Sequence, residues 1–233
     1  MQAKPKFTVL SGAGVSAESG IKTFRDSEGL WEEFRIEEVA TPQAWEVDQE
    51  KVLRFYNERR RSIKKAEPNE AHRLLAKLEE HFDVSIITQN IDDLHERAGS
   101  TNVMHLHGEI FKSRSTTDET LTYSIEGTEL SAGDKCELGS QLRPDIVWFG
   151  EAVPMIEAAI PVIENSDFFL VIGTSLVVYP AAGLVDFVPR YAQKFLIDPK
   201  IQDNLDLRSF TLFPENAGSG MRKLYKKLTE QEN

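Results

Sequence analysis

His107 stands in His105-Leu106-His107-Gly108, directly after Val103–Leu106, whose apolar residues read as a strand. An imidazole titrates near neutral pH, so it can take a proton from a hydroxyl under working conditions. His105, two residues earlier, faces the other side of a strand and reads as structural. Gln89, Asn90 and Asp92 follow the apolar run Val84–Thr88, at the end of a parallel strand where ligands collect. Asparagine offers a donor and an acceptor, and aspartate an acceptor; the same residues also suit a turn capping a short helix over 93–97. Gly12-Ala13-Gly14-Val15-Ser16-Ala17 is a G-x-G-x-x-A turn after Phe7–Leu10. Its glycines would let backbone approach a pyrophosphate, and a following helix N-terminus would supply N–H groups. Alone this match is weak, and the acidic residue that an ordinary dinucleotide unit carries after its second strand is missing. Gly173-Thr174-Ser175, after Phe168–Ile172, suits contact with phosphate or ribose. Tyr56 and Arg59 are three apart and share a helix face. Taken alone, the run Arg59, Arg60, Arg61, Lys64, Lys65 reads as a solvated basic face.

Five short apolar runs must position these groups: Phe7–Leu10, Val84–Thr88, Ile146–Phe149, Phe168–Ile172 and Phe195–Ile197. They are continuous rather than alternating, as strands covered on both faces are. Helical patterns over Asn69–His81, Met155–Glu164, Ala181–Arg190 and Gly220–Thr229 lie between them. The alternation predicts an α/β fold with a parallel sheet. Residues 26–67 carry no strand signal and read as helix and loop, while 112–141 are polar and unable to bury much apolar surface. Both are expected to form a smaller inserted lobe, with a ligand crevice beside the sheet. The expected division is a large lobe of 1–35, 68–110 and 142–233 and a small lobe of 36–67 and 111–141.

The chain has 233 residues and a formal net charge of −11. That charge argues against non-specific binding to nucleic acid or an anionic membrane surface. Cys136 is the only cysteine, which excludes an intrachain disulfide and a cysteine-cluster zinc site. The opening segment does not read as a signal peptide and no apolar run is long enough to span a bilayer, so a cytoplasmic protein is expected.

Five motifs occur in order: 12–25 (GAGVSAESGIKTFR), 88–92 (TQNID), 105–108 (HLHG), 147–151 (VWFGE) and 173–183 (GTSLVVYPAAG). In this order and spacing the chain resembles the sirtuins, NAD-dependent protein-lysine deacylases, from about Phe7 to about Leu228. Residues 29–45, 55–61, 90–99 and 142–151 are most similar to the bacterial CobB-type deacylases. The resemblance implies a Rossmann-like large lobe and NAD as cofactor. It also implies a reaction in which an acyl-lysine oxygen attacks the nicotinamide ribose, giving nicotinamide, O-acyl-ADP-ribose and free lysine. It assigns His107 as base to a ribose hydroxyl, Asn90 to catalysis and ribose, and Asp92 to the nicotinamide amide. Gly12, Ala13, Gly14, Ser16, Gln89, Gly173, Thr174 and Ser175 would line the cofactor site. Thr23, Phe24 and Arg25 would lie on a loop that orders over it. Val147, Phe149, Gly150, Glu151 and Val177 would clamp a substrate peptide by strand addition. Tyr56 and Arg59 would enter the acyl pocket and bind a terminal carboxylate, favouring succinyl- or malonyl-lysine over acetyl-lysine.

The chain departs from the family in two places. Where most sirtuins carry two cysteine pairs, 109–146 holds Cys136 alone, with Ser113 or Ser115 roughly where an early cysteine would stand and no histidine to substitute, so no zinc is expected. Leu196-Ile197-Asp198 replaces a frequent Asn-x-Glu at the adenosine ribose: Asp198 can supply the acid, Leu196 cannot hydrogen-bond, and the backbone of Ala217–Met221 remains for the adenine end. A mono-ADP-ribosyltransferase or a non-catalytic NAD-metabolite sensor are the alternative functions. The expected partners are acylated proteins, and the expected state is a monomer.

Overall fold

Lys6–Ser11, Asp83–Thr88, Val103–His105, Phe168–Ile172, Gln193–Ile197 and Phe210–Phe213 form one six-stranded sheet in the computed structural model, which describes residues 3–22, 30–31, 34–201 and 207–230. Every neighbouring pair is parallel. Counted along the chain, the spatial order is 3-2-1-4-5-6, the Rossmann order, with its switch point between the first and fourth strands. The continuous apolar runs follow from burial on both faces. Phe7, Val9, Val84, Ile86, Leu170 and Ile172 pack with Ala71, Leu75, Leu78, Met221 and Leu224 on one side. Leu10, Ile87, Phe169, Val171 and Leu196 pack with Ala159, Ile163, Ala181 and Leu184 on the other.

Helices Glu70–Leu78, Met155–Glu164 and Ala217–Thr229 cover the sheet. The first is capped by Asn69, whose side chain accepts from the backbone N–H groups of Ala71 and His72. The expected helix over 181–190 is instead a 3-10 stretch, Ala181–Phe187. Phe210–Phe213 was not anticipated: it is an edge strand, partly exposed along its length, and lacks a continuous buried run.

Ile146–Phe149 is not a strand of the parallel sheet. The strand is Leu142–Ile146, antiparallel to Gly108–Ser115, which also pairs with Thr122–Ser124. Residues 147–149 leave that strand as a segment pinned by backbone bonds from Val147 N to the His107 carbonyl and from Phe149 N to the Ala40 carbonyl, each 3.0 Å. Apolar continuity there reports burial of Trp148, 2% exposed, rather than membership of a sheet. The expected lobe boundaries at 110/111 and 141/142 cut through this small sheet. Residues 26–67 contain a two-residue pairing of Leu30–Trp31 with Phe34–Arg35 before the helix Gln49–Lys65. That helix packs Val52, Leu53, Phe55, Tyr56 and Ile63 against Ile110, Leu130, Cys136, Leu142 and Trp148. The polar segment therefore contributes more apolar surface than its composition suggests. Among the described residues no helix is long and apolar enough to cross a membrane.

Candidate active site

The loops that leave the first and fourth strands meet at the switch point. Gly12 N donates to the Ile172 carbonyl at 3.0 Å and Gly14 N to the Gly173 carbonyl at 2.8 Å. A Cβ on Gly14 would lie 2.7 Å from the Gly173 carbonyl oxygen, and one on Gly173, at φ +64°, 2.2 Å from Val15 N. The glycines of both motifs are thus demanded by the contact of two loops, before any ligand is considered. The helix expected after the turn is a seven-residue 3-10 stretch, Ala13–Ser19.

A cleft of about 670 Å³ opens above these loops. Gly12, Ala13, Gly14, Ser16, Gly173, Thr174 and Ser175 line it, together with Gln89, Asn90, Asp92 and His107. Tyr56, Arg59, Val147, Phe149, Gly150, Glu151, Val177, Asp198 and Ala217 line it as well. Thr23, Phe24 and Arg25 lie outside the described residues. Neither expected peptide edge is a strand, although Phe149 and Val177 are exposed by 45% and 58%.

His107 Nδ1 lies 2.9 Å from the Gln89 carbonyl oxygen. A carbonyl only accepts, so Nδ1 carries the proton and Nε2 of the neutral ring keeps its lone pair. Burial holds the imidazole pKa below its ordinary value, against the Gln89 bond. Gln89 Nε2 donates to Thr174 Oγ1 at 3.2 Å, tying this support to the fourth-strand loop. Gly108 follows because, at φ +84°, a Cβ there would be 1.9 Å from the Asp145 carbonyl oxygen.

Ser16 Oγ donates to Asp92 Oδ2 at 3.0 Å and accepts from Asn90 Nδ2 at 3.2 Å. Asp92 Oδ1 accepts from Leu94 N at 3.2 Å, so the carboxylate lines the cleft and caps a turn together. Burial pushes Asp92 up, while the Leu94 and Ser16 bonds pull it down less. His72 Nδ1 accepts from Asn69 N at 3.3 Å, which leaves Nε2–H facing Ser16 Oγ at 3.5 Å; burial lowers its pKa to about 4. His105 does not line the cleft. Its two nitrogens lie 2.8 Å from the Asn90 carbonyl oxygen and from Glu96 Oε1. Burial alone would depress its pKa, but Glu96 raises it.

The basic run on Gln49–Lys65 is not one solvated face. Arg59 and Arg60 are 5% and 0% exposed. Arg60 Nε donates to the Ile110 carbonyl at 2.7 Å and Nη1 to the Thr128 carbonyl at 2.9 Å. Only Arg59 of the five lines the cleft. Tyr56 Oη accepts from Trp148 Nε1 at 3.0 Å, and burial pushes the phenol pKa far up, so it stays protonated. Trp148 also lines the cleft and was not among the expected site residues. Glu151 accepts from Arg143 at 2.7 and 3.0 Å and from Trp148 N at 2.8 Å. Glu18 was missed too: its carboxylate accepts from Gly218 N at 2.7 Å. The backbone expected for the adenine end is therefore partly engaged already. Leu196 points into the core, while Ile197 and Asp198 line the cleft.

In the small lobe Cys136 Sγ lies 3.4 Å from Ser115 Oγ and 3.2 Å from Ser140 Oγ, and the two hydroxyls are 2.8 Å apart. Among the described residues no group of three or more His, Cys, Asp or Glu side chains could hold a metal ion.

Residues 12–180 match the model of the Sir2 family. An NAD-dependent protein deacylase of Bacteroides thetaiotaomicron is 51% identical over 93% of this chain and 94% of its own. One of Helicobacter pylori strain 26695 is 51% identical over 95% of this chain and 96% of its own. A crystal structure of a Sir2 homolog–NAD complex superposes with a TM-score of 0.87, at 40% identity, over 98% of this chain and 91% of its own. With the cleft at the switch point, the ordered motifs and these matches, the chain belongs to the Sir2 family.

Proposed function

We propose that the protein removes acyl groups from protein lysines by consuming NAD and one water, yielding nicotinamide, O-acyl-ADP-ribose and free lysine. The observation that carries this reading is His107. Its Nδ1 is committed to the Gln89 carbonyl, which leaves Nε2 as a neutral base in the cleft that Asn90 and Asp92 share. The cleft fits the cofactor chemically: it offers glycine-loop backbone, the Ser16, Thr174 and Ser175 hydroxyls and the Asn90 amide at the switch point of a Rossmann sheet. When bound, NAD supplies the ribose carbon at which nicotinamide is exchanged for the acyl oxygen. His107 takes the ribose hydroxyl proton, Asn90 orients the ribose, and Asp92 accepts from the nicotinamide amide. Asp198 and Ala217 serve the adenosine end of the cofactor. Val147, Phe149, Gly150, Glu151 and Val177 receive the substrate peptide.

Acidic acyl groups are the preferred substrates. Arg59 is a nearly buried cation on the cleft wall beside the protonated Tyr56. A carboxylate entering there is desolvated and needs such partners. No zinc is expected with Cys136 as the only cysteine, and its thiol lies within hydrogen-bond distance of the Ser115 and Ser140 hydroxyls. The test is purified protein with NAD and a panel of succinyl-, malonyl- and acetyl-lysine peptides, with products identified by mass. Peptide mass loss with O-acyl-ADP-ribose formation is expected; ADP-ribosylated protein or no turnover would overturn the reading.

A further inference from the structure

The wall of the acyl pocket contains an aromatic residue that the reaction itself does not need. Trp148 Nε1 donates to Tyr56 Oη at 3.0 Å. The Arg143 guanidinium lies over the indole, 3.3 Å from a ring centroid, a stacking that draws electron density from the ring and sharpens the N–H as a donor. Arg143 is held in turn by both carboxylate oxygens of Glu151, at 2.7 and 3.0 Å, and donates to the Ile146 carbonyl at 3.0 Å. Glu151 also accepts from Trp148 N at 2.8 Å, which closes the brace onto the same residue.

We propose that Trp148, braced by Arg143 and Glu151, is a specificity-positioning residue that fixes the Tyr56 phenol for recognition of a carboxylate-ended acyl group. The inference rests on the acidic-acyl reading above. The indole N–H occupies one lone pair of Oη and so sets the rotation of the hydroxyl. The phenol then meets an acyl carboxylate as a donor without first reorienting. A neutral acetyl group has no carboxylate to use this arrangement.

The test is kcat/KM on one peptide carrying either succinyl- or acetyl-lysine, for the wild type, Trp148→Phe, Tyr56→Phe and the double variant. Trp148→Phe keeps an aromatic ring and removes the donor. It should lower the succinyl-to-acetyl ratio by roughly 5–10-fold, as loss of one buried hydrogen bond does, and through KM rather than kcat. Tyr56→Phe should lower the ratio at least as far, and the double variant should fall no further than the lower single variant. If Trp148 were merely structural, both substrates would suffer equally and the ratio would stay put, which overturns the inference alone. Independent, multiplying effects in the double variant also overturn it. A wild type with no succinyl preference overturns the acidic-acyl reading and this inference with it. If Trp148→Phe does not fold, the bond is read in Tyr56→Phe, where the Trp148 indole N–H resonance must move upfield as the ratio falls; an unmoved resonance overturns the inference.

Discussion

In the proposed mechanism His107 becomes a base through its neighbour rather than its type alone. The Gln89 carbonyl assigns the proton to Nδ1, and burial keeps the ring neutral at physiological pH by lowering its pKa. Under the proposed mechanism His107→Ala should cut deacylation by roughly 10²–10⁴-fold, the usual cost of a lost general base, with the circular dichroism spectrum unchanged. Near wild-type turnover in that variant would remove His107 from catalysis. Because the neutral ring is the active form, kcat/KM should hold level through pH 7 and fall as pH drops below the ordinary imidazole range. A decline that begins above pH 7 on the acid side would contradict the lowered pKa. Arg59 also lines the cleft. Arg59→Met should reduce desuccinylation by roughly 10–100-fold, since a charge-assisted bond is worth about 1.5–3 kcal/mol, while deacetylation of the same peptide changes far less. Equal losses on both acyl groups would make Arg59 structural and end the acidic-acyl reading.

Elements bring these residues together, and the sequence shows some of that assembly more clearly than the rest. Runs such as Phe168–Ile172 are legible because a strand covered on both faces has apolar residues at every position. Phe210–Phe213 escapes notice because an edge strand needs no such run. Ile146–Phe149 misleads because Trp148 is buried against a helix and not in a sheet. Trp148, Arg143 and Glu18 lie inside the quoted motifs, but their contacts were not legible there, since spacing does not show which partner a side chain meets in the fold. The glycine turn is legible for a reason other than the expected one: its glycines serve contact between two loops. Gly173→Ala would place a left-handed backbone and a Cβ 2.2 Å from Val15 N. It should cost about 2–4 kcal/mol from conformation and overlap together, measured by urea unfolding; a loss under about 0.5 kcal/mol would show that the loops can part freely. His72 couples the Glu70–Leu78 helix to Ser16 as a neutral group with a pKa of about 4. The unfolded chain binds the proton near pH 6.5, so this group's stability is present above pH 6.5 and is lost as pH falls toward 4, by up to about 3 kcal/mol. His72→Gln should flatten that acid loss; an identical pH dependence in variant and wild type would refute it.

The whole molecule must hold the polar segment 112–141 in place, and the helix Gln49–Lys65 supplies the grip. Asn57 exchanges two 3.0 Å bonds with the Leu130 backbone. Arg60 donates to the Ile110 and Thr128 carbonyls and, at 2.7 Å, to Asn57 Oδ1. Arg61 pairs with Glu129 at the surface, a contact that solvent screens. The same helix carries Tyr56 and Arg59, so the segment's anchorage and the proposed acyl pocket share one element. Arg60 is fully buried, and burial lowers its pKa to about 10, which still leaves it charged at neutral pH. A structural metal would contribute in a different way, as binding energy removable by a chelator. The two means of anchorage can therefore be told apart. Arg60→Leu takes the donor from the Ile110 and Thr128 carbonyls and leaves Asn57 Oδ1 with only its Leu130 N–H bond, and should cost about 3 kcal/mol or more, roughly 6–12 °C in Tm for a chain of this size. Arg60→Lys should not restore it, because an ammonium lacks the planar fork that reaches all three acceptors. Treatment with a chelator should leave Tm unchanged, and elemental analysis should find well under one zinc per chain. A stoichiometric metal, or a chelator effect as large as that of Arg60→Leu, would show that the helix is not what anchors the segment.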